Sequence, residues 1–321
     1  MRDQKKQNQR PLKGTRKYKR WKQAQIKKVV VLLGALFVIG GICGGVYSGI
    51  SHIVTNIKEE KAQEAAAQAK KEAEIQKKKE EAAAAKKAKE EAKQRVENNK
   101  LNPDVPVGTD VQSEEKVIYL TFDDGPSANT QAVLDVLDQY NAKATFFVTG
   151  LNPDYYDMIK VAYDKGHTIG MHTYSHDYSW VYSSTDAYFQ DLEQIGNLVK
   201  EQIGFVPAFI RFPGGSSNTI SANYTKGIMT QLSQEVIAKG YQYYDWNGDC
   251  QDGSGTLSPD ELYNHAINAA GNNIMILCHD AIGKETTVQA LPKIIEYYQA
   301  QGYVFKGIDR ESFAPHHGIN N

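Results

Sequence analysis

Cysteine is scarce in this chain, three among 321 residues, and only Cys250 and Cys278 fall where aromatic and apolar side chains are plentiful. That scarcity excludes a disulfide framework and leaves room for one bridge at most. Both are expected to be free thiols, because strand alternation turns Cys278 away from the face that carries His279. Large aliphatic side chains are missing from residues 58–95, where Ile75 is the one exception, so no a/d seam exists for a tight coiled coil. Charge of either sign is missing from residues 29–50. Net charge is nearly missing overall.

That net charge of −1 conceals an asymmetry: residues 1–28 hold twelve Lys/Arg against the single acid Asp3, a tail of +11, so the remainder carries −12. The uncharged run VVVLLGALFVIGGICGGVYSGI would rise about 33 Å as a helix, against a hydrocarbon core of about 30 Å. Its basic flank comes first, which reads as N-terminus in the cytoplasm. No A-x-A-like cleavage site follows, and the bulky Ile42 before Cys43 fits poorly with lipoprotein processing. The expectation is a basic cytoplasmic tail (1–28) and a transmembrane signal anchor (29–50) in contact with membrane lipid. The chain would then be a single-pass protein of the cell membrane with its larger part outside. The tail serves topology and anionic lipid, and no nucleic-acid partner is expected.

Residues 58–100 are nearly pure Lys, Glu, Ala and Gln, the strongest helix formers, with opposite charges at i,i+4. They predict a solvated, semi-rigid helical spacer broken by Asn98, Asn99, Asn102 and Pro103, so that spacer and linker together cover 51–110. The rest, residues 111–315, is one domain, followed by a short tail, 316–321. In it, β-branched apolar runs at 117–122, 144–149, 168–171, 208–212, 241–246, 273–278 and 303–306 alternate with helical patterns. Strand–helix alternation repeated this often predicts parallel β/α units, either closed as a barrel or open as a doubly wound sheet. In both, chemistry gathers at the C-terminal strand ends. Asp123 and Asp124 follow the first strand, His172 and His176 the third, Arg211 ends the fourth, Asp249 and Asp252 follow the fifth, and His279 ends the sixth. Random surface placement would scatter them.

His172 and His176 stand at i and i+4, which one helical turn brings onto one side. Alone, such a pair is more often two unrelated polar histidines, and an Asp-Asp-Gly can be an ordinary turn with solvated acids. Together, two imidazoles and one carboxylate make a three-ligand face that leaves coordination positions open, as catalytic metals require.

TFDDGP (121–126), H-T-x-x-H (172–176), the Arg-x-Pro of RFPGG (211–215) and the Leu-x-His of LCHD (277–280) occur in the order of the polysaccharide deacetylase (NodB-homology) family, carbohydrate esterase family 4. The chain resembles that family over residues 116–308. The resemblance implies a distorted (β/α) barrel of about seven parallel strands, here preceded by the transmembrane helix and the helical spacer. It also implies a divalent metal on Asp124, His172 and His176, usually Zn2+, with Co2+, Mn2+ or Ni2+ as alternatives. Asp123 would take the proton of the attacking water. His279 would protonate the departing amine, and Arg211 would orient Asp123 and lower its pKa. Asp252, with Asp249 as the alternative, would raise the pKa of His279. Pro213, Gly214, Trp246 and Leu277 would contact substrate, Leu277 at the acetyl methyl and Gly214 through its backbone N–H. Two positions depart from many members: Gly214 stands where Tyr is common and Gly253 where Trp is common, which implies a more open cleft. His167 is expected to be structural, and His265, His316 and His317 to be surface or tail residues.

The implied activity is removal of N-acetyl groups from N-acetylglucosamine of a cell-envelope polysaccharide, peptidoglycan first. The alternatives are O-acetyl ester hydrolysis, deacetylation of another glycan (chitooligosaccharide, exopolysaccharide, xylan), and a noncatalytic wall-binding module.

Overall fold

The computed structural model describes residue 13, residues 15–253, residue 255 and residues 257–320, with backbone alone over residues 36–46. Two compact units divide the chain, Met1–Ala88 and Lys89–Asn321. Helix α1 (Arg16–Asn99) supplies nearly all that is described of the first unit. Its 58–88 stretch is exposed and carries i,i+4 pairs such as Lys78–Glu74 (2.7 Å) and Gln76–Glu80 (2.8 Å), each worth a few tenths of a kcal/mol.

The anchor expected at residues 29–50 is corrected: among the described residues no helix is long and apolar enough to cross a membrane. The side chains of residues 36–46, Cys43 among them, lie outside the described residues, as do residues 1–12 and 14 of the basic tail. The single-pass location and the lipid contact fall with the anchor.

In the second unit the last turns of α1 are fastened down. Arg95 lies 3.8 Å above the Tyr163 ring, and the Asn99 carbonyl accepts from Ala208 N–H at 2.8 Å. Arg310 donates to the carbonyls of Glu97 (3.2 Å), Lys100 and Val105 (2.8 Å), which supplies donors to a helix end that lacks them. The Asn-rich break therefore ends the helix and leads into a tied segment, where Leu101 N–H donates to Val206 O at 2.7 Å.

Eight parallel strands follow: β1 (Val117–Asp123), β2 (Ala144–Val148), β3 (Thr168–Met171), β4 (Phe209–Ile210), β5 (Gln242–Tyr243), β6 (Gly248–Asp249), β7 (Asn273–His279) and β8 (Val304–Phe305). The sheet runs β5-β4-β3-β2-β1-β7-β6, and β8 pairs with the start of β1, ahead of the point where β2 begins. This is the parallel α/β arrangement expected. No pairing joins β5 to β6 among the described residues, so the sheet is not closed by hydrogen bonds.

Helices α2 (Thr130–Gln139), α3 (Asp157–Asp164), α4 (Tyr178–Val181), α5 (Thr185–Ile203), α6 (Ile228–Ala238), α7 (Pro259–Ala266) and α8 (Glu285–Ala300) link the strands. Their amphipathic spacing fixes which face they bury. In α2, Thr130, Val133, Leu134 and Leu137 are the buried residues, one stripe at i, i+3, i+4, i+7. Ser184 caps α5 by accepting from Ala187 N–H at 3.0 Å, and Gly204 ends it in the left-handed region at φ 89°.

Period-two alternation sorts the strands into two faces. Ile118, Leu120 and Phe122 of β1 and Ile274, Ile276 and Cys278 of β7 join the large core that also holds the helix stripes. Val117 and Tyr119 with Met275 belong to a second, smaller core, together with Phe147, Phe209 and Tyr244. On that inner face the column continues upward as Thr121 and Asp123 on β1, and as Leu277 and His279 on β7. The same alternation that buries the lower half thus delivers polar groups to the C-terminal rim.

Candidate active site

β1 and β7 pair in register so that Asp123 stands opposite His279. Asp123 is buried, and its Oδ1 accepts from Arg211 Nη1 at 2.9 Å. Arg211 is 0 % exposed, so this strand-end cation is no surface charge. Three further N–H groups donate to Thr121 Oγ1 (2.7 Å), Tyr244 O (2.8 Å) and Asp245 O (3.0 Å), and its guanidinium lies 4.4 Å over the Phe147 ring. A buried charge is tolerated when it is paired and its donors are engaged in this way. Burial pushes the Asp123 carboxyl up, against the pull of the Arg211 and His279 charges. Arg211 lowers this pKa, as expected of it, but desolvation outweighs the ion pair.

Asp124 follows with φ 68°, a strained left-handed conformation, and its Oδ1 and the Asp123 Oδ2 each lie 3.6 Å from His172 Nε2. Gly125 comes next because a Cβ there would fall inside the carboxylate of Asp280. The Asp280 carboxylate is held from beneath by Thr130 Oγ1 at 2.5 Å. Ligand atoms of Asp124, His172 and His176 all lie within 4.8 Å of one another. Asp124 Oδ1 is 3.3 Å from His176 Nε2 and 3.6 Å from His172 Nε2, yet it is buried with no hydrogen-bond partner among the described residues. An orphaned carboxylate oxygen facing two imidazole nitrogens is the donor set of a divalent cation, and these residues fit one. His172 Nδ1 is engaged by Arg211 O at 2.8 Å, which leaves Nε2 as the free nitrogen. Burial, then the neighbouring His176, lowers the His172 pKa to about 3, so the ring is neutral, as a ligand must be.

The two histidines do not share a helical turn, contrary to expectation. Residues 172–177 form an irregular loop after β3, with Thr173 (φ 69°) and His176 (φ 49°) in left-handed conformations. What shapes it is Asp191 on the buried face of α5, a carboxylate 1 % exposed. It accepts from the backbone N–H of Tyr174 and of Ser175, the latter at 3.1 Å. Asp191→Ala should leave those amides buried and unpaired, at about 1–3 kcal/mol. It should also weaken metal binding, read by titration with a competing chelator; unchanged affinity would separate Asp191 from the site.

His279 Nδ1 meets Asp252 Oδ1 at 2.7 Å, and its backbone N–H donates to Asp252 Oδ2 at 2.8 Å. Thr287 Oγ1 also donates to that oxygen, at 2.7 Å. Asp249 is engaged elsewhere, accepting from Gln251 N–H at 2.6 Å. Burial alone would lower the His279 pKa, but the hydrogen bond and charge of Asp252, with the charges of Asp123 and Asp124, raise it to about 9. A Cβ on Gly253 would begin 3.3 Å from His279 Cε1, so glycine there keeps the ring uncovered.

Leu277 is 7 % exposed and belongs to neither hydrophobic core, standing one step below His279 on the same face. Cys278 points into the large core beside Cys250, and both thiols are free, as expected.

Trp246 packs against Gly215, where a Cβ would meet its ring at 2.9 Å. His316 and His317 are not bystanders. His317 Nε2 lies 2.7 Å from Trp246 O, its ring meets the indole edge-on at 4.8 Å, and its N–H donates to Asp245 Oδ2 at 2.8 Å. His316 stacks on Tyr243 at 4.0 Å. Asp245, buried, also accepts from Ser216 N–H at 2.8 Å, so the tail and the 211–216 loop share one carboxylate. Sequence reasoning passed over Asp191, Asp245 and the tail. A buried acid on an otherwise apolar helix face was the available signal for Asp191; nothing marked the tail. His167 is fully buried, with its Nδ1 accepting from Ala144 N–H at 3.2 Å, away from these groups.

A family model described as Polysaccharide deacetylase matches residues 110–231. A second, described as ATP synthase E chain, matches residues 35–127, mostly α1, and its last residues overlap the first match and take in the whole of β1. A peptidoglycan-N-acetylglucosamine deacetylase of Bacillus cereus is 32% identical over 228 residues, 69% of this chain and 78% of that protein. Among solved structures, the catalytic domain of a peptidoglycan N-acetylglucosamine deacetylase from Eubacterium rectale is 45% identical with a TM-score of 0.64, covering 68% of this chain and all of that one. The polysaccharide deacetylase Bc1974 from Bacillus cereus is 31% identical with a TM-score of 0.55, covering 64% and 97%.

Proposed function

The chain belongs to the polysaccharide deacetylase family, and from that premise we propose that it removes N-acetyl groups from N-acetylglucosamine residues of peptidoglycan, with a divalent ion, Zn2+ first, on Asp124, His172 and His176. The observation that carries the chemistry is the β1–β7 register, which sets a buried carboxylate, Asp123, beside an imidazole of raised pKa, His279, at the edge of the three-ligand face. Both relatives named for peptidoglycan support the substrate.

In this reading the ion supplies Lewis-acid polarisation of the acetyl carbonyl and lowers the pKa of water. Asp123 takes the proton of the attacking water; Arg211 holds its carboxylate in one orientation, and burial leaves it basic enough to accept. The Gly214 N–H donates to the carbonyl oxygen as negative charge builds there. His279, with Nδ1 engaged by Asp252, presents Nε2 and delivers a proton to the amide nitrogen as the C–N bond breaks, giving acetate and a free amine. An amide requires this acid because its unprotonated nitrogen is a very poor leaving group. Leu277 accommodates the acetyl methyl, and Pro213 and Trp246 wall the sugar.

The test is acetate release by the full chain from purified peptidoglycan, chitooligosaccharide and acetylxylan in parallel. Peptidoglycan should be the best of the three; preference for acetylxylan would move the bond from amide to ester. A pH profile tests the acid. His279 acts protonated, so kcat/KM should hold to about pH 9 and fall above it. Asp252→Asn removes the charge that raises that pKa, and the alkaline limb should move down towards the ordinary histidine range near about 6.5. An unmoved limb would assign the acid to another group.

A further inference from the structure

Tyr178 opens α4 two residues after His176, and its ring packs edge-on against His176 (5.6 Å) and Tyr182 (5.5 Å). Tyr182 in turn is buried and donates its hydroxyl to Pro213 O at 2.7 Å, which ties α4 to the 211–216 loop. Across that junction the Tyr178 hydroxyl reaches Gly214. A Cβ built on Gly214 would lie 2.7 Å from the Tyr178 oxygen and 3.5 Å from its Cε1. The oxygen therefore occupies the space into which any side chain at 214 would project, so the cleft is not left open there. Gly214 is fixed as glycine twice over, by this oxygen and by its φ of 74°. The ring is half-buried, and its hydroxyl makes no hydrogen bond among the described residues. The hydroxyl is not sealed in the core, so it stays open to a partner that arrives from the cleft. It stands between a candidate metal ligand and the backbone N–H assigned above to the acetyl oxygen, so the partner it faces is whatever binds in the cleft.

We propose that Tyr178 is a substrate-positioning residue, its hydroxyl hydrogen-bonding the N-acetylated sugar from the place that a side chain at position 214 would otherwise take. This rests on the deacetylase reading of the site. The bond is made to the bound sugar before and during the reaction alike, so it contributes to binding and not to the chemical step.

The experiment compares the full-length, zinc-loaded wild type with Tyr178→Phe, using chitopentaose as the probe. Phenylalanine keeps the packing on His176 and Tyr182, so metal content should be unchanged. KM should rise about three- to tenfold, the effect of one lost neutral hydrogen bond, while kcat holds within about twofold. In the Asp123→Asn background, where sugar binds without turnover, Tyr178→Phe should weaken chitopentaose binding by the same factor. Wild-type acetate release with an unchanged KM in Tyr178→Phe overturns the proposal and leaves the proposed function standing. A fall in kcat alone, or loss of metal, also overturns it, by making the hydroxyl part of the chemistry or of the fold. No acetate release by the wild type overturns both readings.

Discussion

Asp123→Asn should abolish deacetylation while keeping the metal. Asparagine is nearly isosteric and can still accept from Arg211, so the inner face stays packed and the three ligands stay in place. What it loses is the capacity to take a proton, and general-base catalysis is worth about 10²–10⁴-fold in rate. Asp124→Asn should fail differently. The oxygen that faces His172 and His176 becomes a neutral amide, a weak donor to a hard cation, so metal and activity should go together. Elemental analysis beside acetate release distinguishes the two. If Asp123→Asn empties the site and Asp124→Asn fills it, base and ligand are exchanged.

Arg211→Met should be the most damaging single change to stability. It leaves the Asp123 carboxyl buried without its ion pair and strips donors from Thr121, Tyr244 and Asp245. Breaking a buried pair from one side costs about 3–5 kcal/mol. The pH dependence has a definite sign. The folded-state pKa of Asp123 is already raised by burial, and removing Arg211 raises it further. The folded variant then binds more protons than the unfolded chain above about pH 4, so stability falls as pH rises. Urea unfolding of the chelated protein should therefore show a larger deficit at pH 8 than at pH 4. A deficit that shrinks towards pH 8 would remove Asp123 as its source.

How much of this was legible in the residues varies with how local the cause is. The β1 and β7 strands were readable because each is a nearly continuous apolar run, VIYLTF and NIMILC, that ends at a titratable residue, so the strand ends placed Asp123 and His279 on one edge and the pleat turned Cys278 to the other face. By contrast β6, two residues at Gly248–Asp249, offers no period to detect. β5 was read as 241–246 but pairs only at Gln242–Tyr243. Asp245 and Trp246 leave the ladder because the tail claims them, Asp245 N–H donating to Pro315 O at 2.9 Å. The i,i+4 histidines suggested a helix because spacing carries no information about sign of φ. The loop's true organiser, Asp191, acts from a different element on backbone groups, and no side-chain pattern records such a contact.

The residues after β8 give the molecule a separable point of failure. Thr109 to Phe313 and Asp245 to Pro315 are backbone ties, and His317 then rests on Trp246 and on Ser217. A protease cutting after Ile308 would remove none of the strands and none of Asp123, Asp124, His172, His176 or His279. It would take away the brace behind Trp246, one of the donors to Asp245, and the Arg310 ties to the end of α1. The nicked protein would retain its ion-binding face and its acid–base pair yet lose its grip on a long glycan, so that short oligosaccharides and polymer would diverge as substrates with a single cut.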